Sequence, residues 1–427
     1  MSQARTFPRG GVRPPDRKSL SEDQPIRKAC VPSFALLPMR QHAGEPARCL
    51  VSPGERVREG MLIGRAEGPG AANVHASVPG LIREVLEVVL PSGARTPAVR
   101  IELDGEFECT GRPQTARNWR EFIRHELLER IEEKGVVGLG GGQPTAAKLR
   151  AAGRPQLLLV NGVESEPYLT ADHRLLVEKA AEVLTGAQIV ASLFELEPAQ
   201  VLLCITEDRR QTLASAHGQA AALGFRVEPL AARYPQGEEQ QLRLALAGGL
   251  DALVLNVGTL QAIYEAVVLG TPLIERVVTI SGSAVRRPAN LKARLGTRLR
   301  ELVEDCGGLA ARPERIVVGG PLRGFAVADL EAPLTKEMAG VLLLGRGELR
   351  ARGSGTAGEA ACIGCGRCIE ACPWGLRPLE LYHWIREGEP RELRRLGLER
   401  CTECGCCAYV CPSRIPLVRW LAGGRWL

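Results

Sequence analysis

The chain has 427 residues, 45% of them hydrophobic, enough for about three or four domains with sizeable cores. Lys and Arg exceed Asp and Glu by 55 to 49, a surplus too thin to signal nucleic-acid binding. Neither a nuclease carboxylate motif nor a basic–aromatic stripe is present. The N-terminus has no apolar signal core and no uncharged stretch reaches membrane-spanning length, which predicts a soluble cytoplasmic chain that meets a membrane only through partners.

Residues 1–29 are rich in Arg, Pro and Ser and poor in apolar residues, and read as an extended N-terminal arm, either a docking segment or a disordered tail. From 30 to 110, short apolar runs such as Met61-Leu62-Ile63 and Val88-Val89-Leu90 alternate with Gly and Pro turns, which predicts a small all-β unit. Ser52-Pro53-Gly54-Glu55-Arg56-Val57 and His75-Ala76-Ser77-Val78-Pro79-Gly80 resemble the two halves of a lipoyl-type barrel-sandwich hybrid. The stretch Glu67 to Val74 that would connect them has no lysine, so no swinging cofactor can be attached there.

Residues 115–270 predict an α/β domain with a mainly parallel sheet. Trp119, Phe122, Ile123, Leu127, Leu128 and Ile131 fall at helical spacing before Gly135. Alternating strands and helices follow: Leu157 to Val160, a helical Leu175 to Leu184, Gln200 to Ile205, Leu242 to Ala247, and Ala252 to Asn256. Between the first helix and the first strand lies Gly138-Leu139-Gly140-Gly141-Gly142-Gln143-Pro144-Thr145, with Lys148 one turn further on. Glycines let backbone N–H groups approach a phosphate, Pro144 suits a first helical position, and Lys148 would add a point charge. The strand ending at Val160 runs into Asn161-Gly162-Val163-Glu164-Ser165-Glu166-Pro167-Tyr168. That places an amide and two carboxylates at a strand's C-terminal end, where α/β folds bind ligands and where carboxylates can accept from ribose hydroxyls or amides. Solvated loop charges are the plainer reading of Glu164 and Glu166 taken alone.

Residues 271–347 predict a small α+β unit around Val277 to Ile280, a Leu299-Leu302-Val303 helical stripe, Ile316 to Val318 and Val341 to Leu344. Gly347 to Gly358 reads as a linker. Within 348–427, Cys362-x2-Cys365-x2-Cys368-x3-Cys372-Pro373 is repeated as Cys401-x2-Cys404-x2-Cys407-x3-Cys411-Pro412. Three cysteines at intervals of three converge on three corners of one cubane, and the fourth, a turn further on, reaches the other cluster. One 4Fe-4S cluster would take Cys362, Cys365, Cys368 and Cys411, and the other Cys401, Cys404, Cys407 and Cys372, with Pro373 and Pro412 holding the turns. Zinc ribbons use pairs of cysteines, so a third at equal spacing plus Cys-Pro would be surplus. Eight thiolates and two oxidised clusters together leave the loaded protein near +2 by rough count. Of the other cysteines, Cys30, Cys49, Cys109, Cys204 and Cys306 read as small packing residues, and Cys406, out of phase in its run, as unligated. The 28 residues between Cys372 and Cys401 predict an inserted helical pair.

With these phrases in view, the chain resembles the C subunits of the Rnf-type ferredoxin–NAD oxidoreductases, ion-pumping membrane complexes, from about Phe7 to Leu417. The marks are Gln41-His42-x-Gly44-x-Pro46, the glycine loop, Glu164 to Arg174, Tyr234-Pro235-Gln236-Gly237, Asn256-Val257-Gly258-Thr259, Gly319-Gly320-Pro321 and Cys404-Gly405-Cys406-Cys407. That family's α/β domain is similar to the flavin subunit of respiratory complex I, and Tyr234-x-x-Gly237-Glu238-Glu239 is close to a phrase found there. The resemblance implies a Rossmann-like FMN/NADH domain and, over 271–347, a β-grasp domain, followed by a helical double-cluster ferredoxin domain. It further implies that Gly138, Gly140, Gly141, Gly142 and Lys148 hold FMN, that Asn161, Glu164 and Glu166 face flavin and nicotinamide nucleotide, and that Tyr234, Glu238, Asn256 and Thr259 line the rest. The loop departs from the family pattern: it is one residue short and carries Gln143 where an aromatic usually stands. Ser165 replaces a cysteine common in the family.

The function so implied is an NADH-linked oxidoreductase subunit, peripheral on the cytoplasmic side of the cell membrane. It would pass electrons between NAD(H), FMN, two 4Fe-4S clusters and partner subunits, a ferredoxin-like one among them. Nicotinamide moves two electrons as hydride and a cluster moves one, so a flavin must divide the pair. No general base or nucleophile is required, and His42, His75 and His173 read as structural or surface residues. Two rivals share these features: a flavin-less iron–sulfur wire or scaffold, favoured by the shortened loop, and a cobalamin reductase-like protein, which usually lacks the barrel-sandwich.

Overall fold

The computed structural model describes residues 4–104, 116–346, 348 and 359–426. Cys109 and nearly all of the expected linker 347–358 lie outside them. The arm contributes one strand, β1 (Ile26–Lys28). The barrel-sandwich follows as β2 (Phe34–Pro38), β3 (Arg48–Cys49), β4 (Arg56–Val57), β5 (Leu62–Arg65), β6 (Val74–His75), β7 (Gly80–Val89) and β8 (Arg95–Leu103). Two antiparallel sheets, ordered β2-β8-β7-β4 and β3-β5-β6, face each other. Alternation along the strands sends Leu37, Ile63, Ile82, Val99 and Ile101 inward.

The α/β domain starts with a short 3-10 turn at Trp119–Glu121, and α1 begins only at Arg124 (Arg124–Glu133). Trp119 and Phe122 therefore lie outside the helix expected from their spacing, although both still pack against the domain core. Glu126 accepts from the Ile123 N–H at 2.9 Å and caps the helix start. Then come α2 (Thr145–Ala151), β9 (Leu157–Asn161), α3 (Ala171–Glu178), α4 (Ala180–Leu193), β10 (Val201–Thr206), α5 (Arg210–Ala222), β11 (Arg226–Leu230), α6 (Glu239–Leu246), β12 (Ala252–Asn256) and α7 (Val257–Val267). The single helix expected over Leu175 to Leu184 is broken at Lys179, whose backbone leaves the helical region. The sheet is wholly parallel, ordered β11-β10-β9-β12. Residues 157–160 of β9 and all of β10 are buried, because helices cover both faces. β9 and β12 end in register at Asn161 and Asn256, so both asparagines stand side by side at the C-terminal edge.

The third unit comprises β13 (Glu275–Ser281), β14 (Ala289–Arg294), α8 (Leu299–Asp305), β15 (Arg315–Val318), β16 (Phe325–Val327) and β17 (Gly340–Leu344). Its six-stranded sheet is ordered β1-β14-β13-β17-β15-β16, with β1 of the arm forming one edge. Its core is continuous with that of the barrel-sandwich: Leu37, Ile63 and Ile101 belong to the same cluster as Ile280, Leu291, Leu302 and Leu343. The two units are thus separate in sequence and joined in packing. The C-terminal unit holds α9 (Arg367–Glu370), α10 (Pro378–Glu387), α11 (Pro390–Arg395), α12 (Cys406–Tyr409) and α13 (Leu417–Gly423). α10 and α11 are the inserted pair, with Pro378 at a first helical position and Gly388 at φ +71° closing α10.

The arm is not a free tail. Arg5 bridges Leu230, Val12 bridges Tyr234, and Phe7 and Lys18 are buried. These contacts exclude a disordered tail over the described part of the arm. Nor is the region from Trp420 loose: Trp420 lies edge-on to Tyr382, with ring centroids 5.3 Å apart.

Candidate functional site

Cysteines of the two runs gather around two cavities. The first is lined by Cys362, Cys365, Cys368 and Cys411 together with Ile363, Leu379, Pro412, Ile415 and Leu417. The second is lined by Cys372, Cys401, Cys404 and Cys407 together with Pro373, Trp374, Leu376, Cys406, Val418 and Leu421. The fourth cysteine of each run therefore lies with the first three of the other. Among the described residues no three His, Cys, Asp or Glu side chains converge on a point that would hold a single metal ion. Each set surrounds a space instead, which suits a cubane with iron at its corners. Backbone amides point at two of the sulfurs: Gly364 N–H at Cys362 Sγ (3.4 Å) and Leu376 N–H at Cys372 Sγ (3.3 Å). Such donors stabilise charge on a thiolate.

The environments of the two cavities differ. Cys362 and Cys365 are exposed, and Ile363 between them is 69% exposed. Cys372, Cys404 and Cys407 are buried, and Cys372 and Cys407 are part of the C-terminal unit's apolar core. Burial pushes the Cys401 thiol up to about 11 and raises those of Cys407 and Cys372. Thiols so placed would bind a positively charged iron–sulfur core as thiolates, their protons released as iron replaces them. Cys406 is fully buried, and its thiol hydrogen-bonds to Cys404, which holds Cys404 below the ordinary thiol range while Cys406 keeps its proton. Of the cysteines read as packing residues, Cys204 and Cys306 are buried and Cys49 half-buried. Cys30 is exposed, and both its thiol and its N–H hydrogen-bond to Asp305, the N–H to Oδ2 at 2.7 Å.

The second polar site forms at the C-terminal edge of the parallel sheet. Asn161 Oδ1 accepts from Val163 N–H (3.0 Å), and its Nδ2 donates to Gly237 O (2.8 Å), tying together the two loops that carry the other residues. Glu164 Oε1 accepts from the Asp172 N–H (3.1 Å) in the first turn of α3. Asp172 is half-buried, and its carboxyl is pushed up to about 7 by desolvation and by the charge of Glu164. Asn256 Nδ2 donates to Asp172 Oδ2 at 2.5 Å, while Asn256 Oδ1 caps α7 by accepting from Gly258 N–H at 2.8 Å. Thr259 Oγ1 accepts from Leu139 N–H at 2.9 Å and fixes the glycine loop. A Cβ on Gly140 would lie 3.1 Å from the Asn256 side chain, whereas one on Gly141 would meet open space. The loop is thus a thin floor laid against Asn256.

Parts of the expected phosphate cradle are otherwise engaged. Gly141 and Gly142 direct their N–H groups to Gly138 O (3.3 and 2.5 Å), and Gly138 N–H donates to Gln143 O (2.6 Å). Pro144 precedes α2 instead of opening it. Lys148 Nζ donates to Glu239 Oε2 (2.6 Å) and Val254 O (2.9 Å), so a phosphate at this position must compete with Glu239.

Glu166, Tyr234 and Glu238 turn toward the second cysteine cavity. The Tyr234 hydroxyl hydrogen-bonds to Cys404 O (2.6 Å) and to Glu166 Oε1 (3.2 Å). Glu166 Oε2 accepts from Leu322 N–H (3.1 Å), and burial raises its carboxyl. Glu238 is hydrogen-bonded to Thr402, whose hydroxyl also accepts from Trp374 Nε1 (3.0 Å), and the Glu238 carboxyl is likewise raised by burial. Glu238 Oε2 is itself buried without a partner among the described residues. The three histidines are structural. His42 Nε2 meets Gly70 O at 3.1 Å and His173 Nδ1 meets Thr212 Oγ1 at 2.5 Å, and burial depresses His42 to about 4 and His75 to about 3.

The residues fit a flavin in donor chemistry. Asn161, Glu164 and Asp172 offer an amide and carboxylates for hydroxyls over a glycine floor, in which Gly141 faces open space. Two groups were missed in the sequence, Asp172 as the partner of Asn256 and Lys18 of the arm, which lies 3.5 Å from Glu164. Asp172 sits inside the Glu164 to Arg174 phrase and was legible as a carboxylate. Lys18 had no signal of its own.

A parallel α/β nucleotide domain packed against one of two cysteine-lined cavities defines a flavin- and iron–sulfur-dependent electron-transfer protein. Models of four domain families match in order: the RnfC barrel sandwich hybrid domain at 6–106, the Nuo51 FMN-binding domain at 131–265, the SLBB domain at 277–326 and a 4Fe-4S dicluster domain at 361–415. The C subunit of the proton-translocating ferredoxin:NAD(+) oxidoreductase complex of Clostridium ljungdahlii is 37% identical over 87% of this chain and 82% of its own length. The C subunit of the ion-translocating oxidoreductase complex of Rhodobacter capsulatus is 35% identical over 96% of this chain and 81% of its own. The chain belongs to this family of C subunits. A solved NAD+-reducing [NiFe]-hydrogenase is similar in fold, with a TM-score of 0.52 at 17% identity over 72% of this chain and 62% of that one.

Proposed function

We propose that this chain is the peripheral, NAD(H)-linked electron-transfer subunit of a membrane-bound ion-translocating ferredoxin:NAD oxidoreductase, placed on the cytoplasmic side of the membrane. No helix among the described residues is long and apolar enough to cross a membrane, which is consistent with attachment through other subunits, a ferredoxin-like one among them. Bound FMN supplies the exchange between a hydride and two single electrons. In this reading Gly138, Gly140, Gly141 and Gly142 floor its site, with Asn161 and Glu164 above, Asn256 and Thr259 behind, and Lys148 released from Glu239 to meet phosphate. Cys401, Cys404, Cys407 and Cys372 hold the cluster nearer the flavin, and Cys362, Cys365, Cys368 and Cys411 hold the one nearer the partner.

The observation that carries this order is the Tyr234 hydroxyl on Cys404 O, seconded by Glu238 on Thr402. Two residues of the nucleotide domain thereby grip the loop of the buried cavity, while the other cavity opens outward. What the chain's own residues do is bind, orient and hold electrons at fixed separation. No side chain is asked to move a proton for hydride transfer.

The test is cofactor analysis of anaerobically purified protein, followed by addition of NADH. About eight irons and one FMN per chain, bleached together by NADH, support the reading. Eight irons without flavin or bleaching would make the chain a wire whose nucleotide site lies on another subunit. That outcome is favoured by the closed glycine loop and the Lys148–Glu239 pair.

A further inference from the structure

The N-terminal arm places a lysine where a lysine is costly. Lys18 is 3% exposed, although its ammonium is a strongly hydrated charge. Its Nζ donates to Leu169 O and stands 3.5 Å from Glu164 Oε2. The other oxygen of Glu164 accepts from the Asp172 N–H, Asp172 is held by Asn256, and Asn256 bears on Gly140. A continuous line of contacts therefore runs from the arm, through the carboxylates, to the glycine loop.

The placement is anchored on every side. Arg209 pairs with Asp16 (2.7 Å) and Glu22 (2.5 Å) on either side of Lys18. Tyr168 N–H donates to Asp16 O (2.7 Å), Ser21 Oγ meets Thr170 Oγ1 (2.8 Å), and Asn290 Nδ2 donates to Ser21 O (2.9 Å). Upstream, the arm reaches the buried cysteine cavity: Gly11 N–H donates to Ala371 O (2.9 Å), and Val12 and Tyr234 exchange both backbone bonds at 2.9 Å. Gly10, at φ +65°, lies so close to Cys372 that a Cβ there would stand 2.5 Å from its carbonyl carbon. One segment of chain thus touches the fourth ligand position of the buried cavity and the carboxylates of the nucleotide site.

We propose that Lys18 is a positioning residue of the nucleotide site, aiming Glu164 so that its carboxylate can receive the hydroxyl or amide donors of a nicotinamide nucleotide. This rests on the functional reading above. Two carboxylates, Glu164 and Asp172, lie together here, and the charge of Glu164 helps push the Asp172 carboxyl up, so a cation beside Glu164 offsets their repulsion. Lys18 sets an ammonium beside Glu164 from outside the nucleotide domain, with Arg276 as the further cation acting on Asp172, so the aim of Glu164 depends on the arm.

The experiment compares Lys18→Met with the unmodified full chain, loaded with FMN and clusters, by iron and flavin content and by steady-state NADH oxidation with ferricyanide. Expected are unchanged iron and flavin, an NADH KM raised about tenfold and a kcat within about threefold, the signature of lost binding rather than lost chemistry. Unchanged KM in a folded Lys18→Met protein overturns the proposal. Where Lys18→Met does not fold, Lys18→Met/Glu164→Gln decides. Recovery of folding when the stranded carboxylate is neutralised supports the charge pairing, and continued failure overturns it by assigning Lys18 to packing of the arm. Should the unmodified protein bind no flavin and ignore NADH, the functional reading fails separately. The pairing is then judged by a denaturation cycle over the same variants, where an effect of Lys18→Met on the unfolding equilibrium that is the same within about twofold with and without Glu164→Gln overturns it.

Discussion

The two cysteine cavities have the same spacing and the same composition of ligating residues, yet one is packed into the protein and the other opens to solvent. Around the second, Cys372, Cys404 and Cys407 are buried, and two nucleotide-domain residues, Tyr234 and Glu238, close over the loop. Around the first, Cys362 and Cys365 are exposed, and a Cβ added at Gly364 or Gly366 would meet nothing. A repeated motif therefore does not give two equivalent sites. What surrounds each run, and not the run itself, decides which cavity faces inward to the flavin domain and which outward to a partner.

Substitutions that separate the two cavities test this asymmetry. The largest effect is expected from Cys407→Ala, which removes a corner of the buried set and a member of the C-terminal core. Iron should fall from about eight to about four or fewer per chain. NADH should then reduce neither remaining iron nor a partner, as read by visible bleaching. Next is Cys365→Ala, at the exposed set. NADH-to-ferricyanide activity should survive in part and transfer to the partner should be abolished. Unchanged transfer to the partner would remove the exposed set from the path.

Smaller effects sharpen the interface between the nucleotide domain and the buried cavity. Tyr234→Phe deletes the hydroxyl shared by Cys404 O and Glu166 and leaves a buried carboxyl short of a partner. A loss of about 1–3 kcal/mol is expected in chemical denaturation, with iron content kept. The smallest effect on either cavity is expected from Lys336→Met. Lys336 is buried away from both, donating to Asn73 O (2.6 Å) and Gly135 O (2.8 Å) where barrel-sandwich, nucleotide and β-grasp units meet. Burial pushes its ammonium down to about 7 from 10.5. Between those pH values the unfolded chain binds the extra proton, so stability rises with pH from about 7 to 10.5, and that gain is lost again as pH falls back to 7. The variant should flatten that slope and leave NADH bleaching of the clusters unchanged.

Much of this was legible because its signals are local. Equal spacing of cysteines, a Cys-Pro end and a second copy define two cavities with a cross-over of the fourth residues, and short apolar runs mark β5, β7 and β13. What was missed has long-range causes. β11 contains Pro229 and sits at a sheet edge, where proline is tolerated, so its sequence does not read as a strand. β14 did carry a period of two, with Ala289, Leu291 and Ala293 buried, and could have been found. β16 is only three residues long. The arm looked like a polar tail because its order comes from partners far along the chain: Lys18 meets Glu164, 146 residues away. Glu164 and Glu166 looked like a pair, but a chain turn sends one toward Lys18 and the other toward Tyr234 and Leu322.

The most direct measurement is low-temperature electron paramagnetic resonance of Cys365→Ala and Cys407→Ala, each frozen within one second of adding NADH. Expected is a reduced-cluster signal in Cys365→Ala, from the buried set still fed by the nucleotide domain, and none in Cys407→Ala. A reduced cluster in Cys407→Ala with none in Cys365→Ala would contradict the inward and outward assignment of the two cavities.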